Sequence, residues 1–193
     1  MDAHVVAISE NLRRLASSAV KPVITALLLW AATAAGEIPI PGTPVPITLQ
    51  TFVVMLAALM LSWRQAATAV ALYLAAGAAG LPVFAGGGST LSLLGPSAGF
   101  LIGFLPGVIV TGLLKGREHR NGVRSTIVTA LRYYAAALLG CVAVVYMFGF
   151  SVQSALTGVS FTTVAIASSG FIVGDLLKAA VASLTAAGLI HLR

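Results

Sequence analysis

Long apolar runs, separated by connections that carry Lys and Arg only at every second interval, constrain this chain more than any other feature. Arg13, Arg14 and Lys21 precede the first run, and Arg64 lies between the second and third. Lys115, Arg117, Arg120 and Arg124 follow the fourth, and Arg193 ends the sequence. The intervening connections, near 37–47, 83–95 and 150–160, contain neither Lys nor Arg. This is the positive-inside pattern of a multi-pass membrane protein with an even number of spans and both termini cytoplasmic. Hydrophobic residues make up 59% of the chain and charged residues 8%, and the mean hydropathy is +1.02. A soluble domain has roughly a quarter of its residues charged. Membrane β-barrels require alternating strands, whereas these runs are continuous and rich in Ala, Leu and Gly. The expected fold is therefore an all-α integral membrane protein with six transmembrane helices. The net charge of +6 sets topology in this reading, and nucleic acid is not an expected partner.

The expected organisation is a cytoplasmic lead, 1–21, and one six-helix membrane domain, 22–192. Spans are predicted over about 22–36, 47–62, 66–81, 96–114, 127–149 and 174–192. Pro39, Pro41, Pro44 and Pro46 enforce an extended first connection. Trp63 and Arg64 mark an interface after the second span, and Arg132 is expected to snorkel back to the inner surface. Ala32-Thr33-Ala34 also resembles a signal-peptide cleavage site; the spans that follow favour an uncleaved first helix. The stretch 159–192 would measure about 50 Å as straight helix at about 1.5 Å per residue, against a hydrocarbon core of about 30 Å. It must break, and Ser168-Ser169-Gly170 and Gly174 are its weak points. Starting the last span at Gly174 puts Asp175 in its first turn, where the helix dipole supports a carboxylate and disfavours Lys178.

Asp175 and Lys178 form the one acid–base pair at predicted membrane depth. Intramembrane charges are costly and are kept for ligands or ion paths. The two either simply pair across one helix face, or Lys178 awaits an anion while Asp175 accepts ligand N–H donors. A purely structural pair would be cheaper as apolar residues, so the functional reading is preferred. Other chemistry is missing. His4, His119 and His191 lie outside the spans, and Cys141 is alone, so neither a disulfide nor a thiolate metal site forms. Gly86-Gly87-Gly88-Ser89 lacks the Lys of a P-loop, and no Gly-x-Ser-x-Gly elbow occurs. Both absences argue against an enzyme and against a bound cofactor. Glu37 is expected in the outer interface. Gly95, Gly99, Gly103 and Gly107, and Ala71, Ala75 and Ala79, recur at four-residue spacing. Such small residues permit close helix contact; packing within the fold is the default and a homo-oligomer the minority reading.

Four motifs, in order, resemble the BioY family, the substrate-binding membrane components of energy-coupling-factor transporters for biotin. They are Pro44-Val45-Pro46-Ile47-Thr48-Leu49-Gln50-Thr51, Gly80-Leu81-Pro82-Val83-Phe84-Ala85-Gly86-Gly87, Leu94-Gly95-Pro96-Ser97-Ala98-Gly99-Phe100-Leu101-Ile102-Gly103-Phe104 and Gly174-Asp175-Leu176-Leu177-Lys178. The resemblance covers about 22–190. It implies a six-helix protein of a prokaryotic cytoplasmic membrane, surrounded by lipid, with a biotin site near the outer face. It further implies uptake driven by a coupling transmembrane subunit and ATPase subunits. By the same resemblance Asp175 and Lys178 supply polar contacts; the chemistry of biotin allows Lys178 to meet the valerate carboxylate and Asp175 a ureido N–H, and which end meets which residue stays open. Gln50, Thr48 and Ser97 are secondary contacts, Gly86 and Gly87 belong to the glycine-rich wall, and Phe84 or Phe171 packs on the rings. The alternatives are a binder of another vitamin, an ion-coupled secondary transporter using Asp175, and a scaffold without transport.

Overall fold

A computed structural model of the chain describes residues 3–116 and 123–190. The basic stretch with Arg117, His119 and Arg120, and the end with His191 and Arg193, lie outside the described residues. The architecture is helical: α1 Ala3–Ala34, α2 Gln50–Met60, α3 Trp63–Ala78, α4 Ala98–Leu114, α5 Val123–Ala137, α6 Val145–Thr157, α7 Phe161–Ala167 and α8 Gly170–Ile190. A π-helical segment, Leu138–Val144, joins α5 to α6 without a break. The described helix Ser125–Thr157 and Gly170–Leu189 are each long and apolar enough to cross a membrane, and Ala19–Ala34, Gln50–Met60 and Ala98–Leu114 are shorter apolar helices.

Several boundaries differ from expectation for local reasons. α1 continues through Pro22 and joins the predicted lead to the first apolar run. Ala32 and Thr33 are buried within the fold. Residues 37–48 do more than extend: β1 Glu37–Ile38 pairs antiparallel with β2 Ile47–Thr48, with Glu37 opposite Thr48. α3 begins at Trp63 rather than near 66, because Ser62 and Gln65 form a capping box; each satisfies a backbone N–H of the other. It ends at Ala78 in a Schellman turn, in which Leu81 N–H reaches the Ala76 carbonyl and Gly80 N–H the Gly77 carbonyl. Gly80 supplies the positive φ (+93°) that this turn requires. The predicted 150–160 connection shrinks to a few residues, since α6 runs to Thr157 and stops at left-handed Gly158.

The last stretch breaks as its length demands, but at Ser168 and Ser169. α7 ends there, and α8 resumes at Gly170, not Gly174. Asp175 therefore lies in the second turn of α8 and Lys178 in the third. The helix dipole therefore does not support Asp175, because its field falls off within the first turn.

The bundle is held by close helix approach. α4 packs on α6 and on the π segment, and its glycine repeat faces them. A Cβ on Gly99 would overlap the Phe148 carbonyl and Gly149; one on Gly103 would meet Val145 Cα at 3.2 Å, and one on Gly107 the Gly140 carbonyl oxygen at 3.1 Å. The glycine stripe thus serves packing within the fold. The alanine stripe does not: Ala71, Ala75 and Ala79 are exposed, while Ala66, Ala69, Val70, Tyr73 and Gly77 turn inward. At the opposite end from the ribbon, Lys115 Nζ donates to the Leu59 and Leu61 carbonyls (2.8 and 2.5 Å) at the end of α2, satisfying helix-end acceptors. The Arg132 guanidinium lies at that same end, 3.3 Å from where a Gly116 Cβ would stand.

Gly99→Ala is expected to cost about 1–3 kcal/mol through overpacking. Gly188→Ala, on an exposed face of α8 with open space around it, is expected to be neutral or stabilising by about 0.5–1 kcal/mol. Thermal midpoints of both variants in detergent measure the contrast.

Candidate functional site

The prolines of the first connection and the glycines of the second hold two loops over one end of the bundle, and a cavity of about 370 Å³ lies beneath them. Its walls come from the ribbon segment, the glycine-rich turn, the start of α4, α6 and α8. Thr48, Gln50, Phe84, Gly86, Ser97, Phe171, Asp175 and Lys178, all expected in the site, line it. Gly87 does not: Gly86 and Gly87 both have positive φ (+64° and +73°) and turn the chain tightly. Only Gly86 then faces inward, toward the Glu37 carboxylate. Glu37, expected at the interface, lines the cavity as well.

Four residues close the polar end. Asp175 is buried. Its Oδ1 accepts from Thr51 Oγ1 at 2.8 Å and from Lys178 Nζ at 3.0 Å, and its Oδ2 accepts from Tyr146 OH at 2.8 Å. Lys178 Nζ also donates to the Thr48 carbonyl (2.8 Å) and to Thr51 Oγ1 (2.9 Å). An ammonium has three protons, and here each has an acceptor within the protein. The pair is thus electrically neutral and already solvated by its neighbours, which offsets the desolvation that makes buried ions expensive. The network ties α8 to β2, α2 and α6.

Thr51 and Tyr146 were not anticipated. Thr51 ends the first motif and only its helical placement, one residue into α2, turns it to Asp175. Tyr146 sits in an apolar run with no sequence signal of a site. Its direction depends on the π segment just before it, where a Cβ on Gly140 would overlap Thr111 Oγ1 and the Gly107 carbonyl lies 2.6 Å away. Such π segments occur frequently at functional sites.

The second wall is built on a hydrogen-bond chain. Gln50 Nε2 donates to Tyr73 OH, which donates to the Val83 carbonyl at 2.8 Å; the Thr33 hydroxyl reaches the same carbonyl at 2.8 Å. Phe84 rests edge-on against Tyr73, ring centroids 5.2 Å apart, in the space that the missing side chain of Gly77 leaves. Gln50 is therefore committed mainly to holding the loop. Opposite, Tyr146, Phe150, Phe171 and Phe100 form an aromatic cluster with neighbouring centroids 5.1–6.4 Å apart, spacings at which ring pairs attract beyond their buried area. The cavity sets this aromatic wall beside convergent polar groups from Thr43, Thr48, Ser92, Ser97 and the Asp175 network, a combination that suits a small organic ligand.

Helical packing, membrane-grade hydropathy and a cavity closed by a neutral ion pair define a small-molecule-binding membrane protein. The comparisons make this specific. The BioY family model matches residues 8–193. A biotin transporter BioY of Rhizobium etli is 39% identical, covering 84% of this chain and 88% of that one. One from Rhodobacter capsulatus is 42% identical over 84% and 90%, and one from Thermotoga maritima 35% over 77% and 83%. Among solved structures, the S-component for biotin from an ECF-type ABC transporter superposes with a TM-score of 0.78 at 28% identity, covering 94% of this chain and 92% of that one. The chain belongs to the BioY family, and it is a membrane protein.

Proposed function

We propose that this chain binds biotin in the cavity and carries it across the cytoplasmic membrane of a prokaryote. In this reading six spans cross the bilayer: the apolar part of α1, then α2, α3, α4, the continuous α5–α6 rod, and α8. Both termini lie in the cytoplasm, and the cavity opens outward. The observation that carries the reading is the neutral Asp175–Lys178 pair at one end of a cavity lined by both aromatic and polar side chains, in a chain whose relatives are biotin transporters. The structural neighbour is a component of an ABC transporter, which supports coupling subunits and ATPases as partners.

The geometry favours one orientation of the ligand. The pair has no net charge to attract a carboxylate, and Asp175 beside Lys178 would repel one. A cyclic urea matches it better: its carbonyl takes the Lys178 proton now given to Thr48, and one N–H fills the open acceptor position of Asp175. The aromatic cluster then packs on the bicyclic rings. The valerate carboxylate, costly to bury, extends toward the loops rather than to Lys178. Exposed Glu37 stands at that end and opposes the carboxylate weakly through water. Glu37→Gln is accordingly expected to tighten biotin by about two- to fivefold at low salt, an effect that vanishes at high salt. Biotin amide should be unaffected in parallel calorimetric titrations.

Ion coupling through Asp175 is disfavoured by its surroundings, since three of about four carboxylate acceptor positions are filled, one by an ammonium. The test of function is a titration of purified protein with biotin, thiamine and riboflavin. Tight binding of biotin alone is expected; tight binding of another vitamin, with none of biotin, overturns the reading.

A further inference from the structure

Tyr146 stands apart from the rest of the polar network: it is an aromatic wall of the cavity and also, among the described residues, the one donor to Asp175 Oδ2. A carboxylate offers about four acceptor positions. Thr51 and Lys178 fill both positions on Oδ1, and Tyr146 fills one on Oδ2. A single position on Oδ2 stays open to a ligand.

From this count we infer that Tyr146 is a specificity-determining residue, which makes Asp175 accept one N–H from a neutral cyclic urea and reject a cyclic guanidinium. The inference rests on the biotin reading above. A cyclic guanidinium presents two N–H groups on one side, and with both positions on Oδ1 filled they pair only if both positions on Oδ2 are open, which Tyr146 prevents. One N–H of such a ligand is then buried unpaired, and a buried unpaired donor is what discriminates strongly between close analogues. Lys178 repels the cation as well, but does so whether or not Tyr146 carries its hydroxyl. The contribution of Tyr146 can therefore be isolated by removing the hydroxyl alone. Tyr146→Phe keeps the ring against Phe150 and Phe171 and frees the second position on Oδ2.

The test uses the purified full chain, titrated at neutral pH with biotin and with 2-iminobiotin, whose ring carbonyl is replaced by a protonated imine. The wild type is expected to bind biotin at least about 100-fold more tightly than 2-iminobiotin. In Tyr146→Phe, biotin is expected to weaken about tenfold, while 2-iminobiotin holds or gains, so that the ratio narrows about tenfold or more. Equal shifts for the two ligands, or none, would overturn the assignment, leaving Tyr146 as a packing residue. Equal wild-type affinities would overturn it too, even if the variant failed to fold. Absence of biotin binding by the wild type would instead overturn the biotin reading itself, so the two failures are distinguishable.

Discussion

Lys178→Ala is expected to weaken biotin by about 100-fold or more, the scale found when one partner of a desolvated, hydrogen-bonded charge pair is truncated. Biotin amide should weaken by the same factor, because the ureido ring, not the valerate, meets the pair. Part of the loss is structural. Without the ammonium, Asp175 is left as a buried and uncompensated carboxylate beside Thr51 and Tyr146, at a cost of about 3–5 kcal/mol. The double replacement Asp175→Leu with Lys178→Met separates the two effects. Exchanging a buried ion pair for apolar residues is often neutral or stabilising, so thermal stability should return while binding stays lost. A selective loss of the acid over the amide in Lys178→Ala would place the carboxylate at Lys178 instead.

Gly77→Ala should act as strongly through the opposite wall. The added Cβ would stand inside the Phe84 ring, and Phe84 cannot retreat, since Tyr73 lies against it. The Val83 carbonyl next to it is held by Tyr73 and Thr33. Something must shift, and the loop carrying Phe84 and Gly86 moves with the displaced ring. Stability should fall by about 1–3 kcal/mol, and biotin affinity should drop at least about tenfold as the loop leaves the cavity. Phe84→Leu, combined with Gly77→Ala, should recover part of the stability, because the two sites share one space and couple. Thermal denaturation and calorimetry of the three variants test the coupling.

Most of the site was legible because its loops carry special backbone requirements. The prolines between Pro39 and Pro46 and the glycines from Gly80 to Gly88 announce themselves in sequence, and two charges in an apolar run do so by their cost. The break before α8 was legible only as a necessity. Ser168-Ser169-Gly170 and Gly174 are equivalent local weak points; the choice came from packing, with Ile40 of the first loop filling the space beside Gly170. A start at Gly174 would place Asp175 in the first turn, within reach of the helix dipole; the start at Gly170 places it beyond that reach. Tyr146 was beyond sequence reading because its direction follows from the register of a π segment, which depends on Thr111 and Gly107 of another helix. The alanine stripe of α3 misled for a related reason: four-residue spacing names a face, and only the neighbours decide whether that face is covered.

In the proposed binding mode the Asp175–Lys178 end of this cavity holds the ureido ring of biotin. A crystal structure of the biotin complex tests it most directly. The ureido oxygen is expected within about 3 Å of Lys178 Nζ, one ureido N–H on Asp175 Oδ2 beside the Tyr146 hydroxyl, and the valerate directed toward Glu37. A valerate carboxylate on Lys178, or biotin bound outside this cavity, would contradict it.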